Sequence, residues 1–369
     1  MKYICILLYA IINALFVDKY GARISDYHAL ITAAYTLVAV LGVYFLPRLL
    51  QRVKRPTPLL IALGTLTLAL GIALQYTIDP YMLQVDRWSA IHHFLDGLMA
   101  GTYPYAQQTH LGGYGSPLPV WQVLHLPFYA IGNVGLSILL VTALFVYVVY
   151  RYHGARQALL VLLLLVVSPA WWYELAVRSD LITNLLLVAT LTQWLAHHQI
   201  RLAERYIYIG VLCGLLASTR LIALIPLAAM YGYEFLQMGW RRQLAFLSAT
   251  LLTFAITLLP FVLWEGSTLL FFEYNPFVLQ TRQGSLLSLA VFAAIAIAMT
   301  VYTQSSEQLR LPMTGALLTS LVVIAFMEKM WREHLWTELY SSTFDITYLS
   351  VALPFYILCL ATSGGESDS

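Results

Sequence analysis

Ionisable side chains are scarce in this sequence. Asp, Glu, Lys and Arg together make 10% of the 369 residues, while apolar residues make 60%. A domain surrounded by water covers itself with more charge than that. The scarcity excludes an ordinary soluble protein and points to a chain solvated by lipid. A net charge of +2 at pH 7 leaves no basic footprint for nucleic acid. Cysteine is also rare: Cys5, Cys213 and Cys359 sit in apolar runs, without metal-ligand spacing or a disulfide framework. No G-x-G-x-x-G or Walker-type stretch occurs, so no nucleotide-binding fold is expected. Internal repeats and linkers between domains are missing too.

What the chain does have is one long polar island, 79–117, with Leu118 opening the next apolar run. An ionised side chain costs several kcal/mol in hydrocarbon, so the island lies outside the bilayer core or lines a wet cavity. Within it Trp88, Ile91, Leu95 and Leu98 recur at helical spacing, and Asp86, Ser89, His93 and Asp96 form the opposite face. The pattern predicts a short interfacial helix over 86–100, flat in the headgroup plane with its polar side up. Gly101 is placed to end it. Tyr103-Pro104-Tyr105 then runs extended, and the glycines at 112, 113 and 115 turn the chain back.

Spans are expected at 3–17, 28–46 and 58–78. The first has signal-peptide length, but no small-residue cleavage site follows and Asp18-Lys19 comes directly, so it reads as a membrane helix. The 47–56 loop carries four basic residues and no acid, which marks it as cytoplasmic and puts the island outside. Pro119, Pro127 and Gly132-Asn133 argue for a short re-entrant helix before a span at 134–150. Further crossings follow at 157–171 and 181–195. At 206–235 two short apolar runs meet at Ser218-Thr219-Arg220, a hairpin with Arg220 at its apex. After a span at 244–263 comes an external loop, 265–283, then spans near Leu286, Pro312 and Ile346, an external stretch at 328–345 and a cytoplasmic tail at 363–369. The fold class is thus an all-α polytopic membrane protein. This topology gathers Asp86, Glu174, Arg178, Asp180, Arg220 and Arg282 on one side of the membrane.

A family resemblance rests on these stretches. Asp86, then Gly101-Thr102-Tyr103-Pro104-Tyr105, then Tyr114-Gly115-Ser116-Pro117-Leu118, resembles the first external loop of GT-C fold glycosyltransferases, in particular the polyprenyl-phosphate-mannose-dependent branch. The stretch from Gly214 to Arg220 and on to Pro226 is similar to that family's hairpin, with Arg220 where a lysine is common. Pro260-Phe261-Val262-Leu263-Trp264 resembles its segment before a later external loop. Many members pair two acids at the loop start; here Asp86 has no acidic neighbour, Asp79 being seven residues back.

The resemblance implies a GT-C-like bundle of about 11–13 membrane helices, with two added N-terminal helices (1–57), a catalytic core (58–283) and C-terminal helices (284–369). It implies transfer of a hexose such as mannose from a polyprenyl-phosphate donor to a glycan, lipid or protein acceptor, by inversion, on the non-cytoplasmic face of a membrane. A bacterial cytoplasmic membrane is favoured over the endoplasmic reticulum. Asp86 is the expected base, with Asp180 as a second acid. Arg220, Arg282, Arg178 and Arg87 are expected at the donor phosphate, and Glu174, His93, Tyr103, Tyr105 and Tyr114 at the substrate. No cofactor is required, although a divalent cation at Asp86 is compatible with the fold class.

Plainer readings stand beside these. Asp86 caps a helix, Asp180 and Glu174 are solvated at a boundary, and Arg178 snorkels. Tyr103, Tyr105 and Tyr114 form turns and interfacial anchors. The competing functions are a transporter or flippase for a lipid-linked glycan and a non-catalytic subunit of the same architecture.

Overall fold

A backbone in hydrocarbon has no water to bond, so apolar runs close their hydrogen bonds internally as helices. The computed structural model describes residues 1–282, 284–303, 306–333 and 345–362, and among these no β-strand occurs, only an isolated bridge between Gln108 and Tyr114. The chain begins with α1 (Lys2–Gly21), α2 (His28–Gln51) and α3 (Pro56–Thr77). The polar island holds α4 (Arg87–Ala100), followed by α5 (Pro119–Leu124), α6 (Leu126–Ala130), α7 (Ser137–His153), α8 (Ala155–Val166) and α9 (Pro169–Ala176). Then come α10 (Leu181–His197), α11 (Leu202–Ala217), α12 (Leu224–Gln237), α13 (Trp240–Phe271) and α14 (Pro276–Thr281). The chain closes with α15 (Leu286–Thr303), α16 (Glu307–Glu333) and α17 (Leu353–Thr362).

Among the described residues seven helices are long and apolar enough to cross a bilayer, and α8 with α9 makes an eighth if that bent pair is one span. This is a multi-pass membrane architecture. Beside these spans, α10, the 221–237 segment and the 347–362 segment are apolar but below spanning length. The expected cytoplasmic tail at 363–369 and all but the ends of the 328–345 stretch lie outside the described residues.

Breaks in apolar helices free backbone groups that need partners. The 68° bend between α8 and α9 shows how they are met. Tyr9 donates to the Leu164 carbonyl at 2.6 Å, and Tyr35 to the Val167 carbonyl at 3.1 Å. Asn13 Oδ1 accepts from the Ser168 hydroxyl and the Ala170 N–H. α1 therefore sits in the main core, where Cys5, Tyr9, Ile12 and Phe16 pack with Phe355, Tyr356 and Cys359 of α17. Of the two helices in residues 1–57, α1 is packed into the core and α2 lies mostly exposed.

A second apolar cluster fixes the polar island. Trp88, Ile91, Phe94 and Leu95 of α4 pack with Tyr103, Tyr105, Trp121 and Phe261. The apolar face of α4 is thus buried against protein, not laid into headgroups. Its polar face is covered as well: Ser89 bonds His110, His93 bonds the Gln108 carbonyl, and Asp96 accepts from the Tyr129 hydroxyl. Gly101 ends the helix in the left-handed region, φ 70°, as glycine does at little cost.

α11 and α13 make the closest helix pairing. A Cβ on Gly210 would meet the Phe246 carbonyl oxygen at 2.7 Å, and one on Gly214 the Thr250 carbonyl oxygen at 2.5 Å. Two glycines four residues apart let the backbones touch, as in close membrane helix pairs.

Candidate functional site

At one end of the bundle a cavity of about 550 Å³ is lined by Asp86, Arg87, Tyr114, Arg220, Tyr274, Arg282 and Tyr348, among others. Residues from the island, the 218–220 break, the loop after α13 and the C-terminal segment meet there. The break is held in place by main-chain bonds. The N–H groups of Leu118 and Val120 donate to the carbonyls of Thr219 and Ser218 at 3.2 and 3.0 Å. Thr257 of α13 donates to the Ser218 hydroxyl at 2.7 Å. Gln280 clamps both sides, giving its amide hydrogen to the Ser116 carbonyl and accepting from the Leu221 N–H.

Asp86 precedes α4 but its side chain makes no capping bond. Its Oδ2 accepts from the Thr109 hydroxyl at 2.7 Å, and no other hydrogen bond reaches the carboxylate among the described residues. Thr109 is fixed in turn by the Gly113 N–H, 2.9 Å away. A Cβ on Gly113 would lie 2.8 Å from Asp86 Oδ2, so only glycine leaves the carboxylate room.

Arg220 is buried, at 6% exposure, and its Nε donates to Asp180 Oδ2 at 3.0 Å. Trp121 Nε1 donates to the same oxygen at 2.8 Å. Asp180 is therefore the counter-ion of Arg220, set behind it, and does not line the cavity. The outer nitrogen of Arg220, Nη1, makes only a long contact of 3.4 Å with Ser116 Oγ. Arg282 is exposed and its guanidinium has no ion-pair partner among the described residues. Two guanidiniums and one carboxylate thus share a single water-accessible space.

Of the other expected residues, Arg87 and Tyr114 also line the cavity, and Glu174, Arg178, His93, Tyr103 and Tyr105 do not. Arg87 borders the cavity, but Nη1 bonds Glu174 and Ser179, and Nη2 bonds Asp345 and Thr347, each between 2.8 and 3.3 Å. All four terminal hydrogens are committed to these partners, and none of them goes to Asp86. Glu174 is fully buried as its partner, not solvated at a boundary. Burial alone would push the Asp345 carboxyl up; Arg87, Thr347 and Lys19 outweigh burial and hold it below the usual carboxylate range.

Arg178 stands apart from the cavity. It takes the left-handed position after α9, φ 52°, with Ser179 N–H bonded to the Glu174 carbonyl and Arg178 N–H to the Leu175 carbonyl. Glycine is usual at such a helix end. The arginine instead reaches the end of α3, donating to the carbonyls of Gln75 and Ile78. Tyr103 and Tyr105 are buried anchors, bonded to the Phe261 and Pro117 carbonyls. His93 is spent on the Gln108 carbonyl. Tyr114 alone of the expected tyrosines lines the cavity, stacked on Tyr274 with ring centroids 5.6 Å apart. No three metal-ligating side chains converge among the described residues.

Sequence reading missed Thr109, Gln280, Tyr274, Tyr348 and Asp345. The first four carry no local signal: Thr109 and Tyr274 stand in loops, Gln280 in α14 and Tyr348 in a short 3-10 turn. Asp345 had one: it stands at the head of an apolar run, as Asp180 does, and accepts from the Thr347 N–H.

The chain matches no protein-family profile, no curated protein and no solved structure.

Proposed function

We propose that this chain is a membrane glycosyltransferase that moves a sugar from a polyprenyl-phosphate donor to an acceptor hydroxyl. The observation that supports it is the single cavity lined by the Asp86 carboxylate and the Arg220 and Arg282 guanidiniums. In this reading Asp86 takes the proton of the acceptor hydroxyl. The acceptor oxygen then bonds to the anomeric carbon as the bond from that carbon to the phosphate oxygen breaks, with inversion. The polyprenyl phosphate leaves with the bonding pair, and its charge is stabilised by Arg220 and Arg282, whose planar donors match phosphate oxygens. Tyr114 and Tyr274 offer a ring face to the sugar. In this reading the cavity faces the non-cytoplasmic side, which the four basic residues of the 47–56 loop support through the charge bias of membrane proteins.

The test is turnover by the purified full-length protein with polyprenyl-phosphate sugars, scored as released polyprenyl phosphate. Asp86→Asn is expected to cut release by at least about 10²-fold with an unchanged melting temperature, since a positioned base contributes about 10²–10⁴. Full activity in that variant overturns the assignment.

A further inference from the structure

A second cavity, of about 310 Å³, is a cleft between α3 and α7. The two helices run antiparallel: Gln75 of α3 donates to the Gly135 carbonyl just before α7 at 2.9 Å, and Gly71 sits against Leu139. The start of α3 therefore lies beside the end of α7, and Thr57 and Tyr150 both line the mouth of the cleft. The island and the first cavity follow the other end of α3, so the two cavities belong to opposite halves of the bundle. Leu162 of α8 and Trp171 of α9 form the floor, and no charged side chain lines the cleft among the described residues.

Small residues keep it open. At Gly71 the helices touch, since a Cβ there would lie 2.7 Å from Leu139 Cδ2 and 3.2 Å from Leu175 Cδ2. At Gly64 a Cβ would meet only Leu162 Cδ2, at 3.9 Å, and Ala143 on α7 is nearly as small. Ile61 and Tyr147, both exposed, make the lips. The lining runs from Thr57 to Leu68 on α3 and from Leu139 to Tyr150 on α7. At 1.5 Å per residue each wall is ~17 Å long. Half of a ~30 Å hydrocarbon core is about 15 Å, so the cleft is one leaflet deep. Left unfilled, its walls would forfeit their dispersion contacts, and a hydrocarbon chain restores them.

The mouth selects which lipid supplies that chain. Lys54 and Arg55 stand just before Thr57, Arg151 follows Tyr150, and Arg156 lies in the first turn of α8. All four are exposed, and none belongs to an ion pair among the described residues. Neither 47–57 nor 150–160 contains an acid. Basic residues at the membrane surface attract anionic headgroups.

We infer that the cleft seats one acyl chain of an anionic phospholipid from the leaflet that carries the 47–56 loop, with its headgroup at Lys54, Arg55 and Arg151. The inference does not depend on the proposed transfer reaction.

The full-length protein, delipidated in detergent, is titrated with phosphatidylglycerol or phosphatidylcholine of equal chain length, and bound lipid is counted by native mass spectrometry. One phosphatidylglycerol is expected to bind saturably, at least tenfold tighter than phosphatidylcholine. Gly64→Leu fills the cleft and removes a glycine from a helix interior. It should weaken phosphatidylglycerol binding at least tenfold without lowering the melting temperature. Ala143→Leu, from the facing helix, should do the same and keeps the test readable if Gly64→Leu fails to fold. The double change Lys54→Gln with Arg55→Gln should weaken phosphatidylglycerol at least tenfold, each basic side chain near a headgroup being worth about fivefold, and leave phosphatidylcholine unchanged. Asp86→Asn, in the first cavity, should alter neither. Equal affinity for the two lipids, displacement of the bound lipid by inorganic phosphate, or wild-type affinity in a folded cleft-filling variant overturns the inference.

Discussion

Thr109 donates to one oxygen of Asp86, and Gly113 leaves that oxygen space, so the carboxylate is oriented while its second oxygen stays without a protein donor among the described residues. Replacing Gly113 with alanine should displace the carboxylate and lower transfer at least tenfold without loss of fold, measured as kcat against melting temperature. The two cavity arginines should behave differently. Arg282 has no ion-pair partner to strand among the described residues, so Arg282→Ala is expected to raise the donor KM about 10- to 100-fold, one charged hydrogen bond being worth about 1.5–3 kcal/mol, with stability unchanged. Arg220→Ala leaves Asp180 as an uncompensated buried charge, which costs roughly 3–5 kcal/mol. Its melting temperature should fall, and the double change Asp180→Asn with Arg220→Gln should recover much of that loss. Equal melting temperatures for wild type and Arg220→Ala would show that Asp180 finds another partner.

At the scale of elements, the α11–α13 contact sets where the 218–220 break falls. Gly214→Val should push the helices apart, destabilise the protein and reduce transfer together, whereas valine at the exposed Gly239 should do neither. The latch between α4 and the segment before α17 is electrostatic. Asp345 has a lowered carboxyl value, so its contribution is complete above the ordinary value of about 3.9 and is lost as pH falls through the lowered one. A melting-temperature titration below pH 4 should show this loss, and Asp345→Asn should flatten it. Sequence made some of these elements legible and not others. The 86–100 helix and its glycine stop were readable from period and residue type. What covers each face was not, because Tyr129, His110 and Phe261 reach α4 from distant stretches. The hairpin at Arg220 was readable because a charge interrupts an apolar run. Its counter-ion was among the acids noted, but nothing local distinguishes pairing from solvation, so the partnership of Asp180 with Arg220 needed coordinates. The roles expected of Arg87 and Arg178 rested on proximity in sequence, and a long side chain can turn to any acceptor within its reach.

Across the whole molecule, the apolar composition announced a membrane protein, but short apolar helices and full crossings are alike in hydropathy, so which runs span was not legible. The two cavities give the bundle a polarity that labelling can test. All three native cysteines are buried, so a cysteine placed at the exposed Gly112 or at Lys54 would dominate reaction with an impermeant maleimide. The two positions should label from opposite sides of a sealed vesicle, and labelling from the same side would refute the proposed topology.

Arg87 and its partner Asp345 are 258 residues apart in sequence. During synthesis the ribosome therefore releases the segment bearing Asp86 long before the residue that locks its neighbour has been made. Until then that guanidinium has Glu174 and Ser179 as partners, but neither Asp345 nor Thr347. The transfer proposed above is therefore expected only once the C-terminal segment has docked beside α4, which ties it to completion of the chain.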